Sequence, residues 1–416
     1  MNYKRKELLK KLLRHTPIYK KTFYSISQPF DAETALKTNV KNYIENVPFF
    51  HSYKQYLKRN FNINNFPIIY KSDILGHEKE FINEKVNKHF IIKEKTGGST
   101  GWSLNVYRNF SSIIKASAYV DYMFSLIGNN LKIAVLRGNK PKTGFFEIIS
   151  NDKIILSSYS LSPESLDTYL NILKDYHISC IHAYPSSLGI LSRLIKQKYG
   201  KADLPELKGI LTSSEIFSRE EKMLVSEVFP QVKIIDFYGM NERCCCAYSI
   251  NLNNYTFIQR YGYTEFIPTG EKKGDNIIAE IVATSMMNTT MPFIRYATED
   301  YVEIDPDDNI VSIIGRSSDF VVNNKKDIVP CISLTRNESM KNVINFQYYQ
   351  DTLGVLEFKV VTNKNFNNEE KKMLEEDLNN SFDGKMTCIV VPVDYIERTK
   401  IGKQKRLVQK LDLSKY

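Results

Sequence analysis

The segment ISCIHAYPSSLGILSRLIKQKYG, residues 178–200, joins a short apolar run to an amphipathic pattern. The run at residues 178–184 predicts a buried strand. Pro185 suits the first turn of a helix, where its missing N–H leaves no bond unmade. Gly200 is a typical helix end. One face of the intervening helix is predicted to be apolar: Leu188, Leu191, Leu194 and Ile195. The segment therefore predicts a buried strand followed directly by a helix.

The same alternation continues on both sides of this segment. Ser162, followed by a proline and a glutamate, predicts the start of a helix before it. Apolar runs at residues 207–212 and 232–237 predict two more strands, and Ser218 with Glu221 has the spacing of a capped helix between them. Continuous apolar strands that alternate with helices indicate a parallel sheet covered by helices. Ligands of such sheets bind at the carboxyl ends of the strands.

The C-terminal region predicts a second, smaller α/β unit. Residues 356–361 and 388–393 have the composition of strands, and residues 367–378 have that of a helix. A polar stretch at 315–326 precedes this unit. We therefore expect an α/β protein with a large N-terminal domain, residues 1–315, and a small mobile C-terminal domain, residues 316–416.

Composition excludes several classes of protein. The chain has 416 residues, 42% of them hydrophobic and 25% charged, as in globular proteins with a full core. Its formal charge is +10, but the lysines alternate with acidic residues and no nucleic-acid module is present. A DNA-binding protein is thus only a minor alternative. No apolar run reaches membrane length, so we expect a cytoplasmic protein without a transmembrane segment. The basic segment at residues 4–15 predicts a surface helix rather than a membrane-bound one.

A glycine- and hydroxyl-rich segment follows the apolar run at residues 90–92. Its glycines allow unusual backbone angles, and its amides and hydroxyls can converge on phosphate oxygens. The Lys-Ser/Thr pair of a Walker A loop is missing, and such a segment alone is more often a plain turn. The candidate phosphate-binding residues are Thr96, Gly97, Gly98, Ser99, Thr100 and Gly101.

Three later segments carry further candidate groups. FYGMNE at residues 237–242 ends a predicted strand, so that an aromatic ring can stack on a base and Glu242 can bind Mg²⁺. RYATED at 295–300 and the Gly-Arg pair at 315–316 offer a carboxylate for ribose and a guanidinium for phosphate. RTKIGKQKR at 398–406 contains a lysine that can reach a phosphate as a point charge. Each segment alone is a weak signal.

The order and spacing of these segments resemble the adenylate-forming superfamily of acyl-CoA synthetases, nonribosomal adenylation domains and luciferase. The likeness is closest to phenylacetate–CoA ligase, and within it to the CapK-like branch of capsular polysaccharide biosynthesis. It covers nearly the whole chain, from residues 12–19 and FPIIYK at 66–71, through YPSS at 184–187 and TSSE at 212–215, to Gly402-Lys403. Chance matches would have to fall in the same order, so the joint pattern is a strong signal.

The resemblance implies a role for each candidate residue. The segment at 96–101 is similar to the family's phosphate loop, Glu242 to its magnesium-binding glutamate and Lys403 to its catalytic lysine. The residues similar to the adenine- and ribose-binding set are Ser214, Glu215, Phe237, Tyr238, Gly239, Met240, Asp300 and Arg316. Those similar to the hinge are Arg316, Ser318 and Asp319. Those assigned to the substrate pocket are Tyr184, Pro185 and Asn241.

The activity that the resemblance implies is that of an AMP-forming ligase. With ATP and Mg²⁺, a carboxylic acid would become an acyl-AMP with release of pyrophosphate, and the acyl group would then pass to an acceptor. The acceptor is either the thiol of CoA or an amine or hydroxyl of a sugar in surface polysaccharide biosynthesis. The alternative is a catalytically inactive nucleotide-binding module of the same fold.

The chain departs from the family pattern at four places. Glu299 replaces a glycine beside Asp300, which is the best support for the inactive alternative. Trp102-Ser103 follows the phosphate loop where Lys-Pro or Thr-Pro is common, and Ser318 stands where an aspartate is frequent. Residues 321–327 lack the glycine that helps to shape the pantetheine tunnel of CoA ligases, which favours the sugar acceptor slightly.

Overall fold

A computed structural model describes residues 3–57, 61–96, 103–251, 253–316, 320–330, 340–382, 384–399 and 402–415. Their α-helices are α1 (Tyr3–Leu13), α2 (Pro17–Ser25), α3 (Ala32–Asn46), α4 (Lys71–Ile74), α5 (Phe110–Ile127), α6 (Leu166–Asp175), α7 (Pro185–Tyr199), α8 (Arg219–Val228) and α9 (Asn368–Ser381). Short 3-10 helices lie at Pro48–Tyr56, Ile63–Asn65, Glu78–Phe81, Lys88–Phe90 and Leu413–Lys415.

The strands of the described residues, in chain order, are β1 (Ile92–Lys95), β2 (Asn105–Arg108), β3 (Ile133–Leu136), β4 (Phe146–Ser150), β5 (Lys153–Leu156), β6 (Cys180–Ala183), β7 (Gly209–Ser213), β8 (Lys233–Gly239), β9 (Cys246–Ile250), β10 (Thr256–Phe257), β11 (Gly262–Lys273), β12 (Asn276–Ser285), β13 (Tyr296–Ile304), β14 (Ile310–Arg316), β15 (Phe320–Val322), β16 (Ile328–Pro330), β17 (Val343–Gln350), β18 (Val355–Thr362), β19 (Thr387–Pro392) and β20 (Leu407–Gln409).

The chain forms two compact units. The first contains Met1–Leu126, Phe237–Ser249 and Asn253–Ile313, and the second contains Ile127–Asp236, Ile250–Leu252 and Ile314–Tyr416. The C-terminal region is thus grouped with the segment that carries the predicted strand and helix alternation. The division at residues 315 and 316 that the sequence predicts stays a prediction.

The second unit contains the predicted parallel sheet. Six neighbouring strands of an eight-stranded sheet have the order β8-β7-β6-β3-β5-β4, and β3 pairs in parallel with β5 and β6, as β6 does with β7. The edge strand β4 runs antiparallel to β5. The apolar faces of α6, α7 and α8 pack into one core with these strands. The predicted α/β fold is therefore confirmed.

Helix termini in this unit follow the sequence with one exception. Gly200 ends α7 with a φ of 76°, and the Ser218 side chain accepts the N–H of Glu221 at the start of α8. The predicted helix start at Ser162 is wrong, because α6 begins at Leu166 with Ser165 at its N-cap. Ser165 instead donates its N–H to the carbonyl of Ser162, and this turn delays the helix by one turn.

The C-terminal region forms a second sheet with the order β19-β18-β17-β20. β18 runs antiparallel to β17 and parallel to β19, while β20 is parallel to β17. Helix α9 buries Leu374 and Leu378 in the core of this sheet. The strand, helix and strand that the sequence predicts here are confirmed as β18, α9 and β19.

The first unit contains an antiparallel sheet that the sequence did not reveal. Its strands have the order β11-β12-β13-β14, and β12 runs antiparallel to both β11 and β13. The inner face packs with α3 and the 3-10 helix Pro48–Tyr56 in one large core.

At the N-terminus α1 forms as predicted. Its Leu13 packs against α2 and α5, whereas Leu8 and Leu12 are exposed.

Across the described ranges, no helix combines the length and the apolar character needed to cross a bilayer.

Candidate functional site

The strands on either side of the predicted phosphate loop are β1 and β2, in the first unit. β1 and β2 are antiparallel, with Lys95 opposite Asn105. Thr96 closes the neck of the loop, because its N–H donates to the Leu104 carbonyl and its Oγ1 accepts the Leu104 N–H, each at 2.9 Å. The predicted residues Gly97, Gly98, Ser99, Thr100 and Gly101 lie outside the described part of the chain. The described residues that flank the loop, Thr96 and Leu104, are therefore joined by hydrogen bonds.

A buried arginine that the sequence analysis missed anchors this hairpin. Arg108, 1% exposed, donates to Glu94 across the hairpin at 2.6 Å and to the backbone carbonyl of Asn241. Asn241 also donates its side-chain N–H to the Lys95 carbonyl at 3.5 Å. The only sequence signal is alternation, because Leu104, Val106 and Arg108 share the buried face of one short segment. Arg108 thus ties the phosphate-loop hairpin to the segment that carries Asn241 and Glu242.

Glu242 is the predicted magnesium ligand, and its environment suits that role. It is 3% exposed, and its charge acts on the nearby Arg108 guanidinium. The described residues contain no cluster of three or more His, Cys, Asp or Glu side chains arranged around a metal. Mg²⁺ in nucleotide sites commonly takes one or two carboxylates, with phosphate oxygens and water completing the shell. A single buried carboxylate at Glu242 fits such a site.

Two predicted nucleotide-binding residues meet directly. The Tyr238 hydroxyl donates to Oδ2 of Asp300 at 2.7 Å. Both side chains are largely removed from water, so burial and the charge of Asp300 raise the pKa of Tyr238 well above its usual value. Met240, by contrast, packs against the core of this unit, where Cys244 donates its S–H to the Met240 sulfur at 3.0 Å. The structure thus brings Tyr238 and Asp300 together and directs Met240 inward.

Glu299 occupies a backbone conformation that favours glycine. Its φ is 59°, and the pairing of β12 with β13 is irregular beside it. This left-handed geometry explains why a glycine is expected at the position. Asp300 directly follows, and its N–H donates to Oγ1 of Thr298 at 3.1 Å. The glutamate therefore keeps the turn that a glycine would make, at a cost in backbone strain.

Replacing Glu299 with glycine is expected to stabilise the protein by about 1 kcal/mol. The left-handed strain of a residue with a Cβ is lost, and the greater freedom of glycine in the unfolded chain offsets only part of the gain. The negative charge that raises the pKa of the neighbouring Glu280 is removed as well. The free energy of unfolding in urea measures the effect. Glu299→Ala, which removes the charge and keeps the strain, separates the two contributions, and a less stable glycine variant would contradict the strain argument.

The second unit gathers another set of predicted residues at the carboxyl ends of its parallel strands. Tyr184 follows β6 and caps α7, in which Pro185 is the first residue. Ser214 and Glu215 follow β7, and Ser214 has a left-handed φ of 73°. Strained residues of this kind concentrate at functional sites. These residues therefore lie at the carboxyl ends of the parallel strands, where the sequence predicts the ligand site.

The loop that carries Lys403 lies against this same edge. A Cβ atom built on Gly402 would be 2.4 Å from Cα of Gly138, just beyond β3, and one built on Gly138 would be 2.6 Å from Cα of Gly402. Both glycines have left-handed φ angles, 60° at Gly138 and 79° at Gly402. Only two residues without side chains allow backbones to approach so closely.

Glu215 fixes the lysine loop in this position. One carboxylate oxygen accepts the N–H of Gln404 at 2.9 Å, and the other accepts the N–H of Ser186 at 3.1 Å. Burial raises the pKa of Glu215 above its usual value. Inside the loop, the Lys403 N–H donates to Oγ1 of Thr399 at 3.1 Å. The resemblance assigned Glu215 to the adenine pocket, whereas its contacts in the structure hold the backbone next to Lys403.

Changing Glu215 to glutamine is expected to lower carboxylate-dependent pyrophosphate release about tenfold. The amide keeps one acceptor but turns an N–H donor toward a backbone N–H, which leaves a buried donor unpaired. Glu227→Gln on the exposed side of α8 is the control. A kcat equal to that of the unmodified protein would show that the contact with Gln404 does not matter for the reaction.

The predicted hinge is only partly described. Arg316 is the last residue of β14, and its backbone alone is defined, while Ser318 and Asp319 lie outside the described residues. Phe237 and Gly239 lie in β8, where Gly239 packs beside the Phe237 ring. The roles assigned to all these residues stay predictions.

Comparison with known proteins agrees with this architecture. Residues 321–410 match the family model of the CapK C-terminal domain. Protein CapK of Staphylococcus aureus is 26% identical over 365 residues, which cover 83% of this chain and 79% of CapK. The predicted resemblance to CapK-like proteins is confirmed. The C-terminal sheet with α9 lies within the residues that match this family model.

Solved structures share the fold at low sequence identity. 2-Hydroxyisobutyryl-CoA ligase, in the postadenylation state with 2-HIB-AMP, superposes with a TM-score of 0.66 at 12% identity, covering 91% of this chain and 89% of that one. The anthranilate CoA ligase AuaEII, in complex with anthranoyl-AMP, gives 0.52 at 11% identity, covering 75% and 64%. The chain therefore has the fold of adenylate-forming ligases.

Proposed function

We propose that this protein is an AMP-forming ligase that activates a carboxylic acid with ATP and transfers the acyl group to an acceptor. The observation that carries the proposal is the seating of the Lys403 loop on the carboxyl edge of the parallel sheet, through the Gly138–Gly402 contact and the Glu215–Gln404 hydrogen bond. A cation held at this edge lies where α/β sheets bind their ligands.

In the first step, a carboxylate oxygen of the acid attacks the α-phosphorus of ATP. A new oxygen–phosphorus bond forms, the bond to the β-phosphate bridge breaks, and pyrophosphate leaves with the bonding electrons. Negative charge builds up on the phosphate oxygens, so the chain contributes mainly position and fixed positive charge. Lys403 would supply that charge from a loop whose backbone is bound by Glu215 and Thr399.

The residues of the first unit would hold the nucleotide. The glycine- and hydroxyl-rich segment at 96–101 would bind phosphate oxygens, and the Tyr238–Asp300 pair would present a carboxylate to ribose hydroxyls. A Mg²⁺ ion bound by Glu242 would supply charge neutralisation of the phosphates. Arg108 would keep the hairpin and the Glu242 segment in one register through its bonds to Glu94 and to the Asn241 carbonyl.

In the second step, a nucleophile of the acceptor attacks the acyl carbon, and AMP leaves. For this step we propose that the C-terminal domain turns about residues 316–319, which would withdraw Lys403 and admit the acceptor. The similarity to CapK and the missing glycine at 321–327 favour an amine or hydroxyl of a surface polysaccharide precursor. Both ligases compared above are CoA ligases, which keeps the thiol of CoA as the second acceptor.

The inactive alternative rests on Glu299, and the geometry weakens it. Glu299 adopts the left-handed turn of the glycine that it replaces, and Asp300 after it bonds to Tyr238. The replacement of glycine by Glu299 therefore leaves the Asp300 carboxylate bonded to Tyr238.

The test is pyrophosphate release from ATP across a panel of carboxylic acids, with hydroxylamine present to trap acyl-AMP as a hydroxamate. We expect release with one class of acid, and hydroxamate in equal amount. ATP binding without release for any acid would instead support the inactive module. Product analysis with CoA and with amino sugars then identifies the acceptor.

A further inference from the structure

Arg137, a partly buried arginine at the carboxyl ends of the parallel strands, has no role in the reaction described above. Arg137 directly follows β3, with its side chain directed to the ends of the neighbouring strands. Its Nη1 lies 3.1 Å from Nε2 of His182, on β6, and its Nη2 donates to Oγ of Ser214, beyond β7, at 2.9 Å. Its guanidinium carbon lies 4.9 Å from the centre of the Tyr184 ring. The side chain thus contacts histidine, serine and tyrosine side chains from three elements.

Arg137 also lacks a carboxylate partner. Within the described residues it forms no ion pair, and its buried Nε has no hydrogen-bond acceptor. Burial lowers the pKa of Arg137 and outweighs the charge of Glu215, which acts in the opposite direction. A partly buried guanidinium without an ion pair is costly unless a ligand supplies the missing charge.

Three other charged side chains at this end of the sheet have contacts or roles of their own. Glu215 is a carboxylate whose charge acts on Arg137, but its two oxygens accept the N–H groups of Ser186 and Gln404. Arg398 balances the charge of Glu215 and donates to the Gly402 carbonyl at 3.1 Å. Lys403 serves the reacting phosphate and carboxylate in the proposed function. Among the described residues, Arg137 is therefore a cation without a carboxylate partner.

We propose that Arg137 binds a second, non-reacting carboxylate of the acid substrate, so that this protein activates dicarboxylic acids. The proposal rests on the proposed function for the reaction itself. A guanidinium held flat by Ser214 and His182 presents its remaining N–H groups in the fork that carboxylates accept. Tyr184 beneath it would cover the carbon chain between the two carboxylates.

The test compares acids of equal chain length, butanoate with succinate and pentanoate with glutarate, in the hydroxamate assay. We expect the diacid to be preferred. Arg137→Gln should raise the KM for the diacid about 10- to 100-fold, because a hydrogen-bonded charge is lost, and should leave the KM for ATP within twofold. Arg137→Lys should recover part of the loss. Arg219→Gln, at an exposed arginine of α8, is the matched control.

Calorimetric titration of succinate and glutarate without ATP separates this proposal from the proposed function. Diacid binding that Arg137→Gln abolishes, with no pyrophosphate release for any acid, would keep the anion site and overturn the ligase. Preference for the monocarboxylic acids, or a variant that changes the KM for ATP instead of that for the acid, would overturn the role of Arg137. Thermal unfolding confirms that each variant is folded.

Discussion

Replacing Lys403 with alanine is expected to lower acid-dependent pyrophosphate release about 100- to 1,000-fold, while ATP still binds. The loss of one preorganised charge at a developing oxyanion has this order of effect. Its loop is fixed by backbone contacts, through the Thr399 hydroxyl and the Glu215 carboxylate, so removal of the side chain leaves the loop in place. The variant therefore tests the charge alone.

Lys410→Ala is the matched control for this variant. Lys410 follows β20 in the same domain and is exposed, so its loss should leave the rate unchanged. Acyl transfer from chemically prepared acyl-AMP should survive in the Lys403 variant, because the acceptor step does not use this charge. A normal rate of pyrophosphate release by Lys403→Ala would refute the assignment of this residue and, with it, the central step of the proposed function.

Replacing Gly402 with alanine should lower adenylation about 100-fold without removing any functional group. The added Cβ would lie 2.4 Å from Cα of Gly138 and 2.7 Å from its carbonyl oxygen, and both are backbone atoms that a side-chain rotation cannot relieve. The loop must then lift, and displacement of a catalytic group by about 1 Å has an effect of this size. Gly138→Ala places the same obstruction on the other backbone and should behave alike.

Gly384→Ala separates obstruction from backbone strain. Gly384 has a left-handed φ of 68° in the same domain, and a Cβ there meets nothing within 4 Å. It should therefore cost about 1 kcal/mol of stability and leave adenylation intact. If Gly402→Ala and Gly384→Ala release pyrophosphate equally well, the close approach of Gly138 and Gly402 does not govern the reaction.

Lys403→Ala and Gly402→Ala both test whether adenylation needs a positive charge at a fixed position. The lysine charge is useful only at a defined distance from the α-phosphate, and a backbone contact between two glycines sets the position of its loop. Glu215 adds a hydrogen bond to the same loop. A defect in adenylation with normal acyl transfer is the signature expected for all three positions.

The sequence by itself determined the local elements of the second unit. The apolar runs at 178–184 and 207–212 became β6 and β7, and Pro185, Gly200 and Ser218 set the ends of α7 and α8. These features depend on neighbours a few residues apart, so periodicity and capping reveal them. The order of the motifs likewise showed the resemblance to the family, because motif order can be read from the sequence without knowledge of the fold.

The tertiary structure alone decided which groups meet. Arg108 on Asn241, Glu215 on Gln404 and Gly138 on Gly402 join residues 133, 189 and 264 positions apart, and no pattern within a segment encodes such pairs. The sequence likewise shows that residue 137 is an arginine, but it does not show that no carboxylate among the described residues pairs with it. Charge compensation and close backbone approach depend on distances that exist only after the sheet has brought strand ends together, so the sequence determined the elements and the packing determined the site.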